Sequence, residues 1–318
     1  MKISRHVSIA IHLLLLSITA PACADFSSGL RAYIRGDYPS AVQEFTVLAE
    51  QGHPYAQYNL ALLYESGRGV PKDERNAFRL YRLAAEHDVP QAQLHVGRMY
   101  EAGRGTAQDY SRAAHWYRQA AEQGQAEAQI HLGRLYADGK GVDQDDRETI
   151  RWFSKAAMQG HAVAQFNLGV IHDNGLGVPC DYAEAARWYE LAAEQGHAEA
   201  QFNLAAMYTQ SLGVSQDFRK AIYWYRRAAE QGYASAQFNL GLLYWEGTGT
   251  PQDYLQAHIW FNLAAAHGNL KARRARNVVA GLMTPEQIAE SQRRTRDWKP
   301  QRDDDTIRAE GSGLLIEV

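Results

Sequence analysis

Two histidines at equivalent places in the chain, His95 and His131, are the residues whose type and spacing first suggest chemistry. Imidazole nitrogens are common ligands of Zn²⁺, so a pair held on neighbouring structural units could share a metal ion. A protein zinc site needs at least three ligands, and no further ligand stands at a useful spacing. Later units of the sequence have asparagine at this position, which favours a hydrogen-bonding role. The sequence therefore predicts no metal and no cofactor.

The familiar sequence motifs of catalysis are also missing. The chain has no nucleophile elbow, no H-E-x-x-H, no C-x-x-C and no phosphate-binding loop. Pairs of glycines one residue apart recur, but they stand between predicted helices and not after strands, which argues against a nucleotide site. We therefore expect a protein that is not an enzyme.

The first 24 residues differ in character from the rest of the chain. Two basic residues precede an apolar run at 7–18, and the segment ends in Ala-Cys-Ala at 22–24. This order is typical of a secretory signal peptide. The run is short for a membrane span, and the residues before Cys23 differ from a lipoprotein box. We expect cleavage after Ala24 and a periplasmic or secreted protein without an integral membrane segment; a retained anchor is the alternative.

Composition indicates an ordinary soluble protein. The 318 residues are 46% hydrophobic and 22% charged, with a formal net charge of −3. A nucleic-acid partner is not expected, since such proteins usually carry a strongly basic face. After signal cleavage Cys180 would be the one remaining cysteine. We therefore expect no internal disulfide, and stability that comes from packing.

One pentapeptide, A-Q-F-N-L, occurs at 164–168, 200–204 and 236–240, each copy 36 residues after the last. From residue 51 to residue 266 the chain divides into six units of this length without insertion. A fixed period of this size predicts a solenoid, in which each unit buries its apolar face against its neighbours. One alanine position recurs in all six units: Ala56, Ala92, Ala128, Ala164, Ala200 and Ala236.

Each unit has the pattern of two helices. Apolar residues at helical spacing form the first helix, with Gly169 where we expect a neighbouring backbone to approach. This helix should end at a Gly-x-Gly pair, which supplies left-handed backbone. An aspartate then begins the second helix, and we expect it to cap free amides and not to act as a catalytic acid. Two of these aspartates also fit a capping box, with Glu148 and Glu184. The aspartates are Asp73, Asp109, Asp145, Asp181, Asp217 and Asp253.

The full pattern, A-x-Q-x-N-L-G-x-x-Y-x-x-G-x-G-V-x-x-D-x-x-x-A-x-x-W-Y-x-x-A-A-E-Q-G, resembles the Sel-1-like repeat, a relative of the tetratricopeptide repeat. The resemblance covers residues 51–266 and implies an all-α fold, a right-handed superhelical α/α solenoid. Residues 25–50 look like a shortened N-terminal capping repeat and 267–300 like capping helices, with a helix start at Thr284. Residues 301–318 have no periodicity and are expected to be a disordered tail.

The resemblance implies that the first helices line a concave surface, which residues two places before the leucine of each unit should border. An apolar stripe there would suit an extended peptide or a partner helix. The alternative is that these residues fill the core. Tyr55 and Trp245, near opposite ends, are further candidate anchors. The stripe consists of Tyr58, Leu94, Ile130, Phe166, Phe202 and Phe238.

Two arginines in consecutive units are candidate binding residues on the same surface. Arg98 and Arg134 occupy one position, so together they could grip a carboxylate or a phosphate of a partner. The alternative is that both are solvated and paired with Glu101 and Asp138, since surface ion pairs contribute little.

The C-terminal end of the repeat array is basic. Residues 267–302 contain nine Lys and Arg against three Asp and Glu. A basic end could meet anionic lipid, acidic polysaccharide or an acidic protein. The alternative is a solvated polar cap, which terminal repeats need for solubility. The candidate residues are Lys271, Arg273, Arg274, Arg276, Arg293 and Arg294.

The resemblance implies an exported scaffold or regulator that binds a protein partner, either of the cell envelope or of a host. A binder of peptidoglycan or polysaccharide, with aromatic residues as sugar platforms, is the alternative. Some exported relatives carry cysteine pairs within repeats and are linked to penicillin binding or β-lactam hydrolysis. This chain lacks those cysteines and any Ser-x-x-Lys arrangement, so that activity ranks last.

Overall fold

The computed structural model describes residues 25–301. The predicted signal segment, and all but the first residue of the predicted tail, lie outside the described residues. Within the described range the chain forms sixteen α-helices and no strand. Helices α1 to α16 span Phe26–Ile34, Tyr38–Glu50, Pro54–Ser66, Glu74–Ala85, Pro90–Ala102, Tyr110–Glu122, Ala126–Asp138, Asp146–Met158, Ala162–Asn174, Tyr182–Glu194, Ala198–Gln210, Phe218–Glu230, Ala234–Glu246, Tyr254–Ala266, Leu270–Ala280 and Pro285–Asp297.

Helices α3 to α14 form six pairs, each with a first (A) and a second (B) helix. Every helix from α1 to α15 packs against its neighbour in chain order, and α16 packs on α14. Between repeats, the A helices α9 and α11 also contact each other directly. We call the surface formed by the A helices the inner face. The predicted all-α solenoid is confirmed.

The aspartate caps are confirmed at the start of every B helix. At α4, for example, Oδ1 of Asp73 accepts the amides of Arg75 and Asn76, both at 3.0 Å. The reciprocal half of the predicted capping boxes is wrong, because Glu148 accepts from Trp152 Nε1 at 2.9 Å instead of from its cap's backbone. The corresponding Glu184 binds Arg187. A capping box is present at the start of α16, between Thr284 and Gln287.

The turns after the A helices have the predicted left-handed backbone. Gly67, at the end of α3, has φ 69°, which L side chains rarely adopt. Ser211 stands at the equivalent place after α11 and keeps φ 60°. Asp88, which replaces the glycine after a B helix, keeps φ 59°. These departures from the repeat pattern therefore leave the backbone path unchanged.

The predicted close approach at Gly169 exists, but the partner is a ring and not a backbone. A Cβ at this position would lie 2.5 Å from Cδ1 of Tyr189, which belongs to the B helix of the same repeat. The lack of a side chain thus lets the largest buried ring of the repeat pack directly on the A helix. Equivalent pairs are Gly97 with Tyr117, Gly133 with Phe153 and Gly241 with Phe261.

A buried glutamine in each A helix joins consecutive helices. Nε2 of Gln129 in α7 donates to the carbonyl of Ala121 in α6 at 3.0 Å. Its Oε1 accepts from Nε2 of Gln159, the residue that ends α8, at 2.9 Å. One side chain thus connects α6, α7 and the end of α8. Equivalent buried residues are Gln57, Gln93, Gln165, Gln201 and Gln237.

The first glutamine of the series lacks its second partner. Gln57 donates to the carbonyl of Ala49 at 3.2 Å, but its Oε1 is buried without a hydrogen-bond partner among the described residues. The residue 30 places further on is His87, where the next four repeats have glutamine; the sixth has His267, whose Nδ1 lies 3.3 Å from Oε1 of Gln237. Gln57 is therefore a natural control for the contribution of the second hydrogen bond.

We expect Gln129→Met to lower the free energy of unfolding by about 2 kcal/mol, because methionine fills a similar volume but breaks both hydrogen bonds. Gln57→Met should cost about 1 kcal/mol or less, since it breaks one hydrogen bond and removes an unpartnered buried oxygen. Urea unfolding followed by circular dichroism measures both. Equal losses in the two variants would show that the second hydrogen bond does not stabilise the array.

Two glycines with left-handed backbone allow the effect of backbone strain to be distinguished from the effect of close packing between repeats. Gly141 has φ 70°, and a Cβ there would lie 2.2 Å from the backbone carbon of Tyr110 in the preceding repeat. Gly124 has φ 91°, and its Cβ would meet nothing within 4 Å. Alanine at either position strains the backbone, but at Gly141 it also collides with a neighbouring repeat.

We expect Gly124→Ala to cost about 1 kcal/mol of stability through the strained φ alone. Gly141→Ala should cost about 1–3 kcal/mol more, because the neighbouring repeat must move to admit the methyl group. Thermal and urea unfolding of the two variants supply the comparison. A Gly141→Ala variant no less stable than Gly124→Ala would contradict close packing at this point.

Candidate interaction surface on the inner face

The predicted apolar stripe is only half present on the inner face. Tyr58 is 2% exposed, so its prediction as a groove residue is wrong. Leu94 and Ile130, at the same position of the next two repeats, are buried as well. Tyr58 packs against the rings of Tyr81 and His95, with centroids 5.6 and 5.7 Å away. Tyr55, the other predicted anchor at this end, is half-buried.

In the last three repeats the stripe reaches the surface. Phe166, Phe202 and Phe238 are half-buried, and each ring has a neighbour on one side. The ring of Phe166 stacks on that of His197 with centroids 4.5 Å apart, and Phe202 contacts Tyr233 at 5.2 Å. These rings therefore serve the core and the surface together. With the half-buried residues beside them they form the apolar half of the inner face: Phe166, Val170, Phe202, Ala206, Phe238, Leu242 and Trp245.

A carboxylate network occupies the inner face of the first repeats. Glu65 accepts the hydroxyl of Tyr81 at 2.7 Å and Nη2 of Arg104 at 3.0 Å. Nδ1 of His95, from the next A helix, lies 3.5 Å from its Oε2. Burial raises the pKa of Glu65, but the contacts with His95, Tyr81 and Arg104 outweigh burial and lower that pKa to about 2. This carboxylate is therefore ionised over the physiological range and joins two repeats.

The next repeat has the same network. Glu101 accepts the hydroxyl of Tyr117, and Nδ1 of His131 lies 3.1 Å from it. His131 and Tyr117 hold the pKa of Glu101 below its ordinary value against the effect of burial. Each histidine also stacks on its tyrosine, with centroids 4.8 Å apart for Tyr117 and His131.

These contacts decide the role of the two histidines. The expectation that they reproduce the hydrogen bonds of asparagine is wrong, because Asn239 donates to the hydroxyl of Tyr225 at 3.0 Å whereas the histidines face carboxylates. His95 and His131 belong to separate networks. Residues 25–301 contain no group of three or more side chains that could hold a metal ion, so the two histidines have no shared metal site in that range.

The two candidate arginines have different surroundings. Arg98 pairs with Glu127, one repeat further on, so the predicted pairing with Glu101 is wrong. Arg134 is exposed and makes no ion pair with a described residue, while its predicted partner Asp138 binds Lys140 at 2.8 Å. Arg134 alone is therefore available to an anion. The charged half of the inner face comprises Glu65, Arg98, Glu101, Arg104, Glu127 and Arg134.

A pocket of about 400 Å³ opens beside Arg134. It lies between the end of α7, the start of α8 and the facing side of α9. Apolar side chains including Phe153 and Val170 form much of its wall. The pocket stands at the border between the charged half and the apolar half.

The basic C-terminal end is partly neutralised. Arg293 and Arg294 both pair with Glu290, and Arg276 donates to Asn277 at 3.0 Å. The remaining candidates make no ion pair with a described residue and are exposed: Lys271, Arg273 and Arg274. The end thus carries three cations on α15 without an ion pair to a described residue, while Arg293 and Arg294 share one carboxylate and remain more than half exposed. This lower charge agrees with the requirement for a solvated terminal cap.

Two features of this surface were not predicted from the sequence. Glu65 had no assigned role and Glu101 was considered only as a partner of Arg98, although glutamate occurs at this position only in the two repeats followed by His95 and His131. That correlation was the available signal. The pocket was also missed, because it arises where Ala137 stands in place of a longer side chain.

The depressed pKa of Glu65 predicts a specific loss of stability in acid. A carboxyl whose pKa falls from 4.5 to about 2 on folding stabilises the fold above pH 4.5, and this contribution is lost as pH falls toward 2. Between pH 6 and pH 3 the wild type should therefore lose about 2 kcal/mol more than Glu65→Gln, which lacks this carboxyl group. Urea unfolding at both pH values gives the difference, with the exposed Glu122→Gln as control. Equal acid sensitivity in the wild type and Glu65→Gln would contradict the network.

Comparison with known proteins places this geometry in a family. The model of the Sel1 repeat matches six consecutive segments, residues 54–89, 90–125, 126–161, 162–197, 198–233 and 234–269. A Sel1 repeat protein from Oxalobacter formigenes is 32% identical in sequence, with a TM-score of 0.67 over 76% of this chain and 97% of that structure. A protective antigen of uropathogenic Escherichia coli with an SLR fold is 25% identical, with a TM-score of 0.37 over 92% and 88% of the two chains.

One curated relative has a named role. The exopolysaccharide production negative regulator of Rhizobium leguminosarum bv. viciae is 38% identical over 56 residues. That stretch is 18% of this chain and 21% of the regulator, so the chain spans about a fifth of the length of this relative. In the part of the chain between 25 and 301, no helix combines the length and the apolar character that a bilayer crossing needs.

The six segments matched by the family model coincide with the six pairs of helices, whose A helices form the inner face. The chain belongs to the Sel1 repeat family.

Proposed function

We propose that this protein is an exported interaction scaffold or regulator that binds a partner protein along the inner face of its solenoid. The observation that carries the proposal is the row of half-buried rings at one position of three consecutive A helices, Phe166, Phe202 and Phe238. Aromatic side chains with an exposed edge are common anchors of protein interfaces. The row continues directly into the charged half of the face.

This division predicts the character of the partner. An extended segment or amphipathic helix would place apolar side chains against α9, α11 and α13. The adjoining part of the partner would then lie over Arg98, Glu101 and Arg134, where charges set orientation and register. The partner segment should therefore be apolar at one end and charged at the other.

Protein is favoured over glycan by the surroundings of the rings. Sugar platforms need an open aromatic face, but the face of Phe166 is covered by His197, and Phe202 contacts Tyr233. These two rings are therefore only partly accessible, which suits contacts with aliphatic and aromatic side chains. We assign no catalytic activity to the protein.

Export and regulation have separate support. The composition of residues 1–24 supports export to the periplasm or beyond, with loss of the segment after Ala24. The named relative supports a regulatory role through a stretch of 56 residues that is 38% identical to this chain. The limited overlap leaves exopolysaccharide production itself as a property of that relative.

We expect a photoreactive residue at Ala206, between the rings on the inner face, to capture a discrete partner protein in intact cells. The same group at Arg187, an exposed position on a B helix, should capture none. Replacing Phe166, Phe202 and Phe238 together with alanine should lower capture from Ala206 at least tenfold, since several hot-spot contacts are lost. Mass spectrometry of the adducts provides the readout.

The matched control removes three exposed apolar side chains from B helices, Met158, Leu191 and Tyr223, and should leave capture unchanged. If the triple phenylalanine variant unfolds by circular dichroism, Leu242→Glu tests the face without removing a ring from the core. Normal capture by a folded inner-face variant, or equal capture from Arg187, would refute binding at this surface.

A further inference from the structure

The third repeat has a pocket because its residues depart from those of its neighbours. Its volume is about 400 Å³, which is within the range of small-ligand sites and suffices for one large side chain. Ala137 lines it at the position where the first two repeats have Glu65 and Glu101. In those repeats the glutamate reaches the tyrosine hydroxyl of the B helix. Here the shorter side chain leaves that space open.

Two further substitutions shape the same space. Phe153 stands where the first two repeats have tyrosine, so the wall has no hydroxyl. Asp146 stands at a position that is aromatic in four of the other repeats, and it therefore leaves a smaller side chain at the mouth. The deep wall is apolar and consists mainly of Ile150, Phe153 and Ile171.

The polar groups around the pocket are mostly engaged. Thr149 donates its hydroxyl to the carbonyl of Asp145 at 2.8 Å, and Asn167 donates to the carbonyl of Val163 at 2.7 Å. Asp138 is paired with Lys140. These three side chains are therefore engaged within the chain.

Arg134 is the exception, together with one carboxylate. It lines the pocket, is exposed and makes no ion pair with a described residue. Asp146 is at the first turn of α8, where the positive end of the helix stabilises its negative charge, and its Cβ lies against Gly177. The cation in the lining is the guanidinium of Arg134.

We propose that this pocket is the anchor site of the inner face, and that it takes a partner's large apolar side chain directly beside an acidic group. The apolar side chain fills the space against Ile150, Phe153 and Ile171. The carboxylate pairs with Arg134, whose planar donors match it in two-pronged geometry. This proposal rests on the proposed function, because it specifies which partner residues would bind at the inner face.

Two related dyes test the pocket without knowledge of the partner. Anilinonaphthalene sulfonate combines an apolar ring system with an anion, and N-phenylnaphthylamine has a similar ring system without the charge. The full chain, titrated with each dye, gives the affinity and number of sites from fluorescence. Ala137→Gln fills the pocket with a neutral analogue of the glutamate in the preceding repeats. Thr209→Gln is the matched control, since it enlarges the same position of the fifth repeat.

We expect one site for each dye in the wild type and in Thr209→Gln. Ala137→Gln should weaken both dyes at least tenfold, because a pocket of this size cannot hold the rings and the added side chain together. Arg134→Gln should weaken the sulfonate about tenfold, as expected for loss of a charge-assisted contact, and leave the neutral dye unchanged.

Three results would overturn the proposal. In the first, the wild type binds neither dye. In the second, folded Ala137→Gln binds both dyes with unchanged affinity, which would place the dyes at another apolar patch such as Leu270 and Val278. Equal loss of both dyes in Arg134→Gln would remove the anionic part. A failed dye test with intact partner capture from Ala206 ends the pocket proposal alone. Intact dye binding with no capture in cells instead ends the proposed function.

Discussion

A buried glutamine amide holds each repeat of this solenoid to the next, and the geometry of the array depends on it. In a solenoid each repeat contacts only its neighbours, so no distant part of the chain can correct an error in one junction. The glutamine donates to the last turn of the preceding B helix and accepts from the residue that ends its own B helix. An unpartnered amide in this position would be unfavourable, so the hydrogen bonds select one arrangement of three helices. Apolar packing alone would tolerate several.

Because this frame is fixed by a few positions, the inner face is free to vary. The capping aspartates, the small residues of the A helices and the glutamines recur in every repeat. The positions of Glu65, Arg98 and Phe166 do not, and they point to the same side of consecutive A helices. The carboxylates of the first repeats are held between a tyrosine and a histidine from the next repeat. They are thus partly structural, which leaves Arg134 as the charge that a partner can reach at least cost.

The sequence predicted the helices, their caps and their turns because these depend on residues close together in the chain and repeated six times. It did not predict contacts between residues far apart in the chain. The partner of Arg98 lies 29 residues further on, and the partner of Gln129 lies 30 residues further on, so an alignment of equivalent positions does not reveal them. Tyr58 and Phe166 occupy the same position, yet one is buried and the other reaches the surface. Exposure there depends on the side chains of adjoining helices, which the period does not specify.

The same reasoning explains why a distinctive site should arise where the repeat pattern fails. Identical repeats offer identical surfaces, and a partner could then bind in several registers. A departure in one repeat removes that degeneracy, because the face presents a cavity there. Ala137, Asp146 and Phe153 form such a departure, and none of them disturbs the buried glutamines on either side. The repeat can lose a polar contact on its inner face because the glutamines already fix its position. A solenoid of this kind therefore gains specificity when side chains become smaller or lose polar groups at positions that do not hold the repeats together.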